Sequence, residues 1–281
     1  MIIDTHQHFW NLDLLEYSWL VPEYGPLYRS YGPQELAPQL EVAGVEKTVL
    51  VQAANSYDET NYLLRKADEF PWIAAVVGWV PLTNPREAGP MLERYLKHPK
   101  FRGVRHLIHE EQDSDWLLQE LVIESLGLLA EKGLTFDVVS VLPEHLRHVP
   151  TLAERVPELK MVIDHLSKPP IKEGGWQPWA NQMATCAKYP QVYAKISGLN
   201  TAADWQNWNA DDLKPYIDHV LEHFGAKRLM FGSDWPVAVL AGGYQKVKDE
   251  TSKAIAHLGR EEREALWAGT ASAFYRIQTA L

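Results

Sequence analysis

One cysteine in 281 residues, Cys186, leaves no partner for an internal disulfide, so a bridge-stapled fold is excluded and a reducing compartment is expected. Long apolar runs are missing too. The longest, Trp72 to Leu82, is about half of the ~20 residues that a helix needs to cross a bilayer. The chain opens Met1-Ile2-Ile3-Asp4-Thr5-His6, with neither a basic segment nor a small-residue cleavage site. No signal peptide is therefore expected, and the predicted location is cytoplasmic. Cations are in short supply: 27 Lys plus Arg against 37 Asp plus Glu give a net charge of −10, the wrong balance for neutralising phosphates. Neither nucleic acid nor a membrane is an expected partner. Linkers, low-complexity stretches and internal repeats are absent as well, which predicts a single domain over residues 1–281.

What is present is an ordinary globular balance of 46% apolar and 23% charged residues with an excess of Trp, 11 in all. Eight short runs of continuous apolar or β-branched character stand out: Met1–Thr5, Glu46–Gln52, Trp72–Val80, Phe101–Leu107, Leu134–Val139, Lys160–Asp164, Val192–Ile196 and Arg228–Phe231. Continuous apolarity marks strands buried on both faces of a parallel sheet. Helical patterns separate most of the runs. Ser56 with Glu59 predicts a capping box ahead of Thr60–Phe70, and Asn84-Pro85 predicts an N-cap and first helical residue. Gly133 and Gly225 sit where helices should stop. Eight strands alternating with helices over this length predict an α/β fold, a (β/α)8 TIM barrel. No Gly-rich phosphate loop follows the first run, which disfavours an open doubly wound sheet. Two connections, Phe9 to Pro33 and Leu166 to Gly175, are long enough to act as lids, and Glu261–Ile277 predicts an extra C-terminal helix.

Chemistry concentrates at the ends of three runs. His6 and His8 stand two apart on the first, so both imidazoles point to one side, where a borderline metal such as zinc could be gripped. The pair also fits a core histidine beside a loop cap. His165 ends the sixth run after Asp164, as a third ligand or a strand-end residue bonded to a loop. Asp234 ends the eighth, in Phe231-Gly232-Ser233-Asp234-Trp235-Pro236, as a ligand, a base for water, or an N-cap.

Taken together, Asp4-Thr5-His6-Gln7-His8-Phe9-Trp10, Gly103-Val104-Arg105, Asp164-His165 with Lys168-Pro169, Gly232-Ser233-Asp234-Trp235-Pro236 and Gly269-Thr270-Ala271 with Phe274-Tyr275 resemble the amidohydrolase superfamily. The match is to the branch that holds sugar-lactone hydrolases, such as fuconolactonases and rhamnonolactonases, and 2-pyrone-4,6-dicarboxylate lactonase. The resemblance implies a barrel hydrolase with at most one divalent metal, zinc first among them, held by His6, His8, His165 and Asp234. The fifth run ends Phe136-Asp137-Val138-Val139 without the histidine of two-metal members. The branch also includes metal-free lactonases, in which His6, His8 and His165 would act as hydrogen-bond donors.

On this reading Asp234 is the general base, assisted by His165, and Arg105 and Lys195 stabilise the oxyanion or hold the product carboxylate. His106, Asp137 and Gln52 are candidate substrate contacts. Trp10, Trp79 and Trp235 flank strand ends, where an indole could stack on a sugar ring. One Arg and one Lys at the expected barrel mouth suit a neutral polyhydroxylated lactone better than a dicarboxylate. The expected substrate is an aldonolactone such as L-fucono-, L-rhamnono- or L-galactonolactone. The rivals are a metal-dependent decarboxylase of an aromatic acid, a hydrolase of an anionic muconolactone or pyrone-dicarboxylate lactone, and a non-catalytic sugar-binding barrel. Cys186 is expected to pack, and His145 and His148 to lie at a surface or cap.

Overall fold

The computed structural model describes residues 1–278. Its eight strands are β1 Ile3–Gln7, β2 Lys47–Val51, β3 Ile73–Gly78, β4 Phe101–His106, β5 Thr135–Val138, β6 Met161–Ile163, β7 Val192–Ile196 and β8 Leu229–Phe231. They lie in sequential order, every neighbouring pair parallel. Seven of the predicted runs enclose a strand, and the first, Met1–Thr5, overlaps β1, which extends on to Gln7. The seam from β8 back to β1 is closed by single contacts rather than a full ladder: Thr5 Oγ1 donates to Phe231 O at 2.6 Å, Asp234 N to His6 O at 2.8 Å and His8 N to Trp235 O at 2.8 Å.

Register decides which polar residues enter the barrel. Arg105 pairs with Asp137, Asp137 with Val162, Val162 with Tyr193, and Lys195 with Met230. Residues in register share a face of the sheet, and this face is the interior. The lower interior is lined by small residues, Val49, Ala75 and Val77 among them. The space they leave is filled by Ala271, Phe274 and Tyr275 of the C-terminal segment. That segment is not the one continuous α-helix expected. It runs as Arg260–Glu264, a wide π turn Ala265–Gly269 and a helix Thr270–Tyr275, the wide turn changing which side chains face the barrel.

Several local predictions hold in part. Ser56 caps the helix Tyr57–Glu69 through Asp58 N and Glu59 N, but the Glu59 carboxylate does not return to Ser56. It turns inward and accepts from Ala53 N and Ala54 N at 2.8 Å each, because the end of β2 carries unpaired N–H groups that need an acceptor more. Asn84 precedes the helix Pro85–Tyr95 without a side-chain cap, its amide donating to Glu87 instead. Gly133 and Gly225 take left-handed φ of 64° and 71° at helix ends, as expected. The Trp excess is explained largely by loop anchoring. The indoles of Trp10, Trp19, Trp179, Trp205 and Trp208 each donate to a backbone carbonyl of a connection. Cys186 is buried, and burial pushes its thiol up to about 12. His145 and His148 are buried rather than at the surface, but His148 does stand at the N-cap of the helix Val149–Arg155, its Nε2 reaching Asp115 Oδ1 at 3.0 Å.

Candidate active site

The ends of β1, β6, β7 and β8 meet in one place, and the backbone is bent to make them meet. In β1 the register shifts between Asp4 and Gln7. Asp4 holds that distortion: Oδ1 accepts from His6 N at 3.1 Å and Ser233 N at 2.8 Å, while Oδ2 accepts from Ser233 Oγ at 2.6 Å and Tyr244 OH at 3.0 Å. Burial raises this carboxyl to about 6 despite those donors. After β6 the chain makes a left-handed turn of four non-glycine residues, His165, Leu166, Ser167 and Lys168, with φ of 55°, 49°, 60° and 49°. Asp234 is left-handed too, at 58°. Such residues cost about 1–2 kcal/mol apiece and concentrate where function demands them. Two glycines make room. A Cβ on Gly198 would stand 2.7 Å from His165 Nδ1 and 2.8 Å from Asp234 Oδ2, and one on Gly232 would stand 2.8 Å from His6 Cβ.

His6, His8, His165 and Asp234 are brought together as predicted. Asp234 Oδ1 lies 3.8 Å from His6 Nε2, 3.6 Å from His8 Nε2 and 3.8 Å from His165 Nε2, and the two Nε2 atoms of His6 and His8 are 3.1 Å apart. A tetrahedral zinc with bonds of ~2.0–2.1 Å has ligand–ligand edges of ~3.4 Å, so the donor set fits one cation. The opposite ring nitrogens are occupied: His8 Nδ1 donates to Val51 O at 2.7 Å, His165 Nδ1 pairs with Ser197 Oγ at 2.9 Å, and His6 Nδ1 lies 3.3 Å from Asp164 Oδ1. The Val51 carbonyl fixes the tautomer of His8, leaving its Nε2 lone pair free, and the contacts of the other two rings turn their Nε2 atoms toward the same point. Burial lowers all three imidazoles, His165 to about 3 and His6 well below its usual range, so they are neutral, the form that ligates. Burial alone would raise Asp234, but His165, the His8 hydrogen bond and Lys168 outweigh it and hold the carboxyl below its usual range. A second group, His6 with Asp164 and His165, lies directly behind the first.

Above this cluster is a cavity of about 250 Å³. Its polar side is His8, Arg105, His109, His165, Lys168 and Asp234, and its apolar side includes Trp19, Tyr24, Leu107, Val139, Val237 and Leu240. A larger groove of about 880 Å³ runs along the far side of the β1 connection, past Leu15, Tyr17 and Asp58. None of the converging imidazoles reaches it.

The other predicted site residues separate. Arg105 lines the cavity, its Nη1 2.9 Å from Asp164 Oδ2 and 3.2 Å from His6 Nε2. Lys195 and Asp137 do not reach a ligand there. Both are 0% exposed, one layer deeper, with Lys195 Nζ donating to Asp137 Oδ2 at 2.6 Å. The next residue after Arg105 points outward, so His106 accepts from Trp79 Nε1 at 2.9 Å, pairs with Glu111 at 2.7 Å and stacks on Trp116. Gln52 is buried and donates to Arg105 O at 3.0 Å, steadying that strand end. Trp10 packs on Trp19 and Tyr31, Trp235 on Phe9 and Tyr31, and Trp79 on Tyr57. Among the described residues, the cavity's aromatic wall is Trp19 and Tyr24 instead.

Sequence reasoning therefore missed Trp19, Tyr24, His109 and Lys168. The length of the two long connections was the available signal, since Phe9 to Pro33 carries Trp19 and Tyr24, and Leu166 to Gly175 carries Lys168. Lys168 Nζ lies 3.8 Å from Asp234 Oδ2 and donates to Thr201 Oγ1 at 2.8 Å.

Known proteins resemble this chain in sequence and in fold. The family model described as amidohydrolase matches residues 3–277. An L-fucono-1,5-lactonase of Burkholderia ambifaria is 36% identical over 98% of this chain and 95% of its own length. One of Burkholderia multivorans is 35% identical over 98% and 96%. The crystal structure of an amidohydrolase from Burkholderia multivorans with bound zinc superposes with a TM-score of 0.92 at 33% identity, over 99% of this chain and 100% of that one. With the family's description matched from β1 to the C-terminal helix, the chain belongs to the amidohydrolase family.

Proposed function

We propose that this enzyme hydrolyses the ring ester of a sugar-derived lactone to the open aldonic acid, with L-fucono-1,5-lactone as the first candidate. The observation that carries the reading is the convergence of three neutral imidazoles and one carboxylate on the floor of a half-apolar cavity, in a chain 36% identical to a lactonase of that name. His6, His8, His165 and Asp234 would hold one divalent cation. Bound there, zinc lowers the pKa of water and polarises a carbonyl.

The residues of this chain supply the rest. Asp234, anionic and held at a fixed angle by its left-handed backbone, accepts a proton from the attacking water and returns it to the ring oxygen that leaves. His165, fixed through Ser197, keeps that carboxylate oriented. Arg105 presents its guanidinium from the cavity floor toward the oxyanion that develops at the lactone carbonyl.

Charge and shape favour a neutral sugar lactone. The two cations that face the cavity, Arg105 and Lys168, each have a carboxylate beside them, Asp164 and Asp234. A dicarboxylate would have to compete with both. The apolar wall of Val139, Val237 and Leu240 suits the methyl group of a 6-deoxy sugar better than a hydroxymethyl. A reducing, cytoplasmic setting is supported by the single, buried thiol.

The test is acid release from a panel of sugar lactones followed in a pH-stat. L-Fucono-1,5-lactone should be turned over, and Asp234→Asn and His6→Ala should each lose about a thousandfold or more in kcat/KM, on the scale of removing a principal catalytic group. Full turnover in both variants would place the chemistry elsewhere.

A further inference from the structure

The mechanism leaves a buried chain of polar groups without a role. Tyr275, in the helix Thr270–Tyr275, points up into the barrel from below, and its hydroxyl donates to Asp137 Oδ2 at 2.8 Å. The same oxygen accepts from Lys195 Nζ at 2.6 Å. That ammonium stands 3.1 Å from His6 Nδ1, 3.1 Å from Asp164 Oδ1 and 5.6 Å from the centre of the Tyr275 ring. Tyr275, Asp137 and Lys195 are all 0% exposed, as is His6. We propose that Tyr275 is a positioning residue for the metal ligand His6, acting through Asp137 and Lys195. The proposal rests on the reading of His6 as a metal ligand.

Three observations carry it. The first is the way the lower barrel is filled. Inward positions of β2 and β3 are Val49, Ala75 and Val77, too small to close the interior themselves, and the tyrosine occupies the space up to Asp137. A phenylalanine would fill it nearly as well, so the hydroxyl, which needs a partner when buried, is there for what it bonds. The second is how Asp137 is held. Both of its described donors, Tyr275 and Lys195, fall on Oδ2, and Oδ1 has no partner among the described residues. Without the tyrosine, only Lys195 fixes the carboxylate. The third is where Lys195 leads. Its ammonium bridges Asp137 below and the His6–Asp164 pair above, so a change in the lower contact is passed to the edge of the imidazole whose other nitrogen faces Asp234. Partners behind a ligating histidine set its ring orientation, and their removal weakens metal binding by about 10–100-fold.

The experiment uses the full-length chain stripped with a chelator and titrated with zinc against a chromophoric competitor. Tyr275→Phe keeps the ring and removes only the hydroxyl. It should weaken the zinc dissociation constant about tenfold while the melting temperature of the zinc-free chain stays within a few degrees of wild type. Lys195→Gln should weaken zinc binding at least as much, and adding Tyr275→Phe to it should cause no further loss, because the connection is already cut. If Lys195→Gln fails to fold, Asp137→Asn takes its place in the cycle. Wild-type zinc affinity in Tyr275→Phe overturns the proposal, as do losses that simply multiply in the double variant. A lowered melting temperature with unchanged zinc affinity also overturns it, and assigns the tyrosine to packing alone. A wild-type chain that binds no zinc overturns it by a different route, through the ligand reading on which it depends.

Discussion

Gly198→Ala is a one-carbon test of the whole site. The residue sits between the Asp234 carboxylate and the His165 imidazole, at φ 59°. The added Cβ would lie 2.7 Å from His165 Nδ1 and 2.8 Å from Asp234 Oδ2, where ordinary contact begins near 3.4 Å. Each neighbour must retreat by about half an ångström or more, and both are tethered: His165 to Ser197, and Asp234 N to the backbone of β1. The stability cost is the left-handed penalty, about 1–2 kcal/mol, a fall of roughly 2–8 °C for a chain of this size. The cost in turnover is much larger. Displacing reacting groups by such amounts lowers rates by about a hundredfold. Thermal melts by circular dichroism and initial rates on the preferred lactone measure the two together. A variant with the expected drop in melting temperature but near-normal kcat/KM would refute the claim that Asp234 and His165 act as a pair at this spacing.

Other consequences follow from buried charge and from the aromatic walls. Burial raises Glu59 from 4.5 to about 8. A carboxyl raised on folding contributes stability that is fully present below its unfolded pKa and is lost as pH rises through the folded one. Urea melts between pH 5 and 8 should therefore show wild type losing stability on the order of a few kcal/mol, and Glu59→Gln with a visibly flatter dependence. Trp19→Ala should raise KM for the lactone with a modest change in melting temperature, because the indole lines the cavity. Trp10→Ala, in the core, should instead cost about 3–5 kcal/mol of stability. Zinc should raise the melting temperature of the chelator-treated wild type in proportion to ln(1 + [L]/Kd) and leave His6→Ala unmoved.

The barrel was legible in the sequence because parallel strands covered on both faces must be apolar throughout, and punctuation by capping residues and glycine does the rest. The four converging site residues were legible for a related reason. A polar residue that ends an apolar strand has few places to go but the mouth. Depth was not legible. Arg105 and Lys195 both look like inward cations near strand ends, yet the stagger of a closed barrel puts one at the cavity and the other beneath it. Nor does a Trp beside a strand end declare its side. Trp10 and Trp235 turn into the aromatic packing around Tyr31, while Trp19, far from any strand in sequence, reaches the cavity. Lys168 was hidden by its backbone, since nothing in Asp164-His165-Leu166-Ser167-Lys168 announces a left-handed turn without glycine.

That turn has a meaning for anyone who would make the protein hardier. Left-handed positions held by His165, Leu166, Ser167, Lys168 and Asp234 are the ones at which glycine relaxes the backbone most readily, so a screen that rewards heat resistance alone will be drawn to them. Gains found there would loosen the elements that carry His165, Lys168 and Asp234 to one another, and thermal endurance would rise as turnover fell. Stabilisation is better sought on the outer helices, where the backbone carries no such tension.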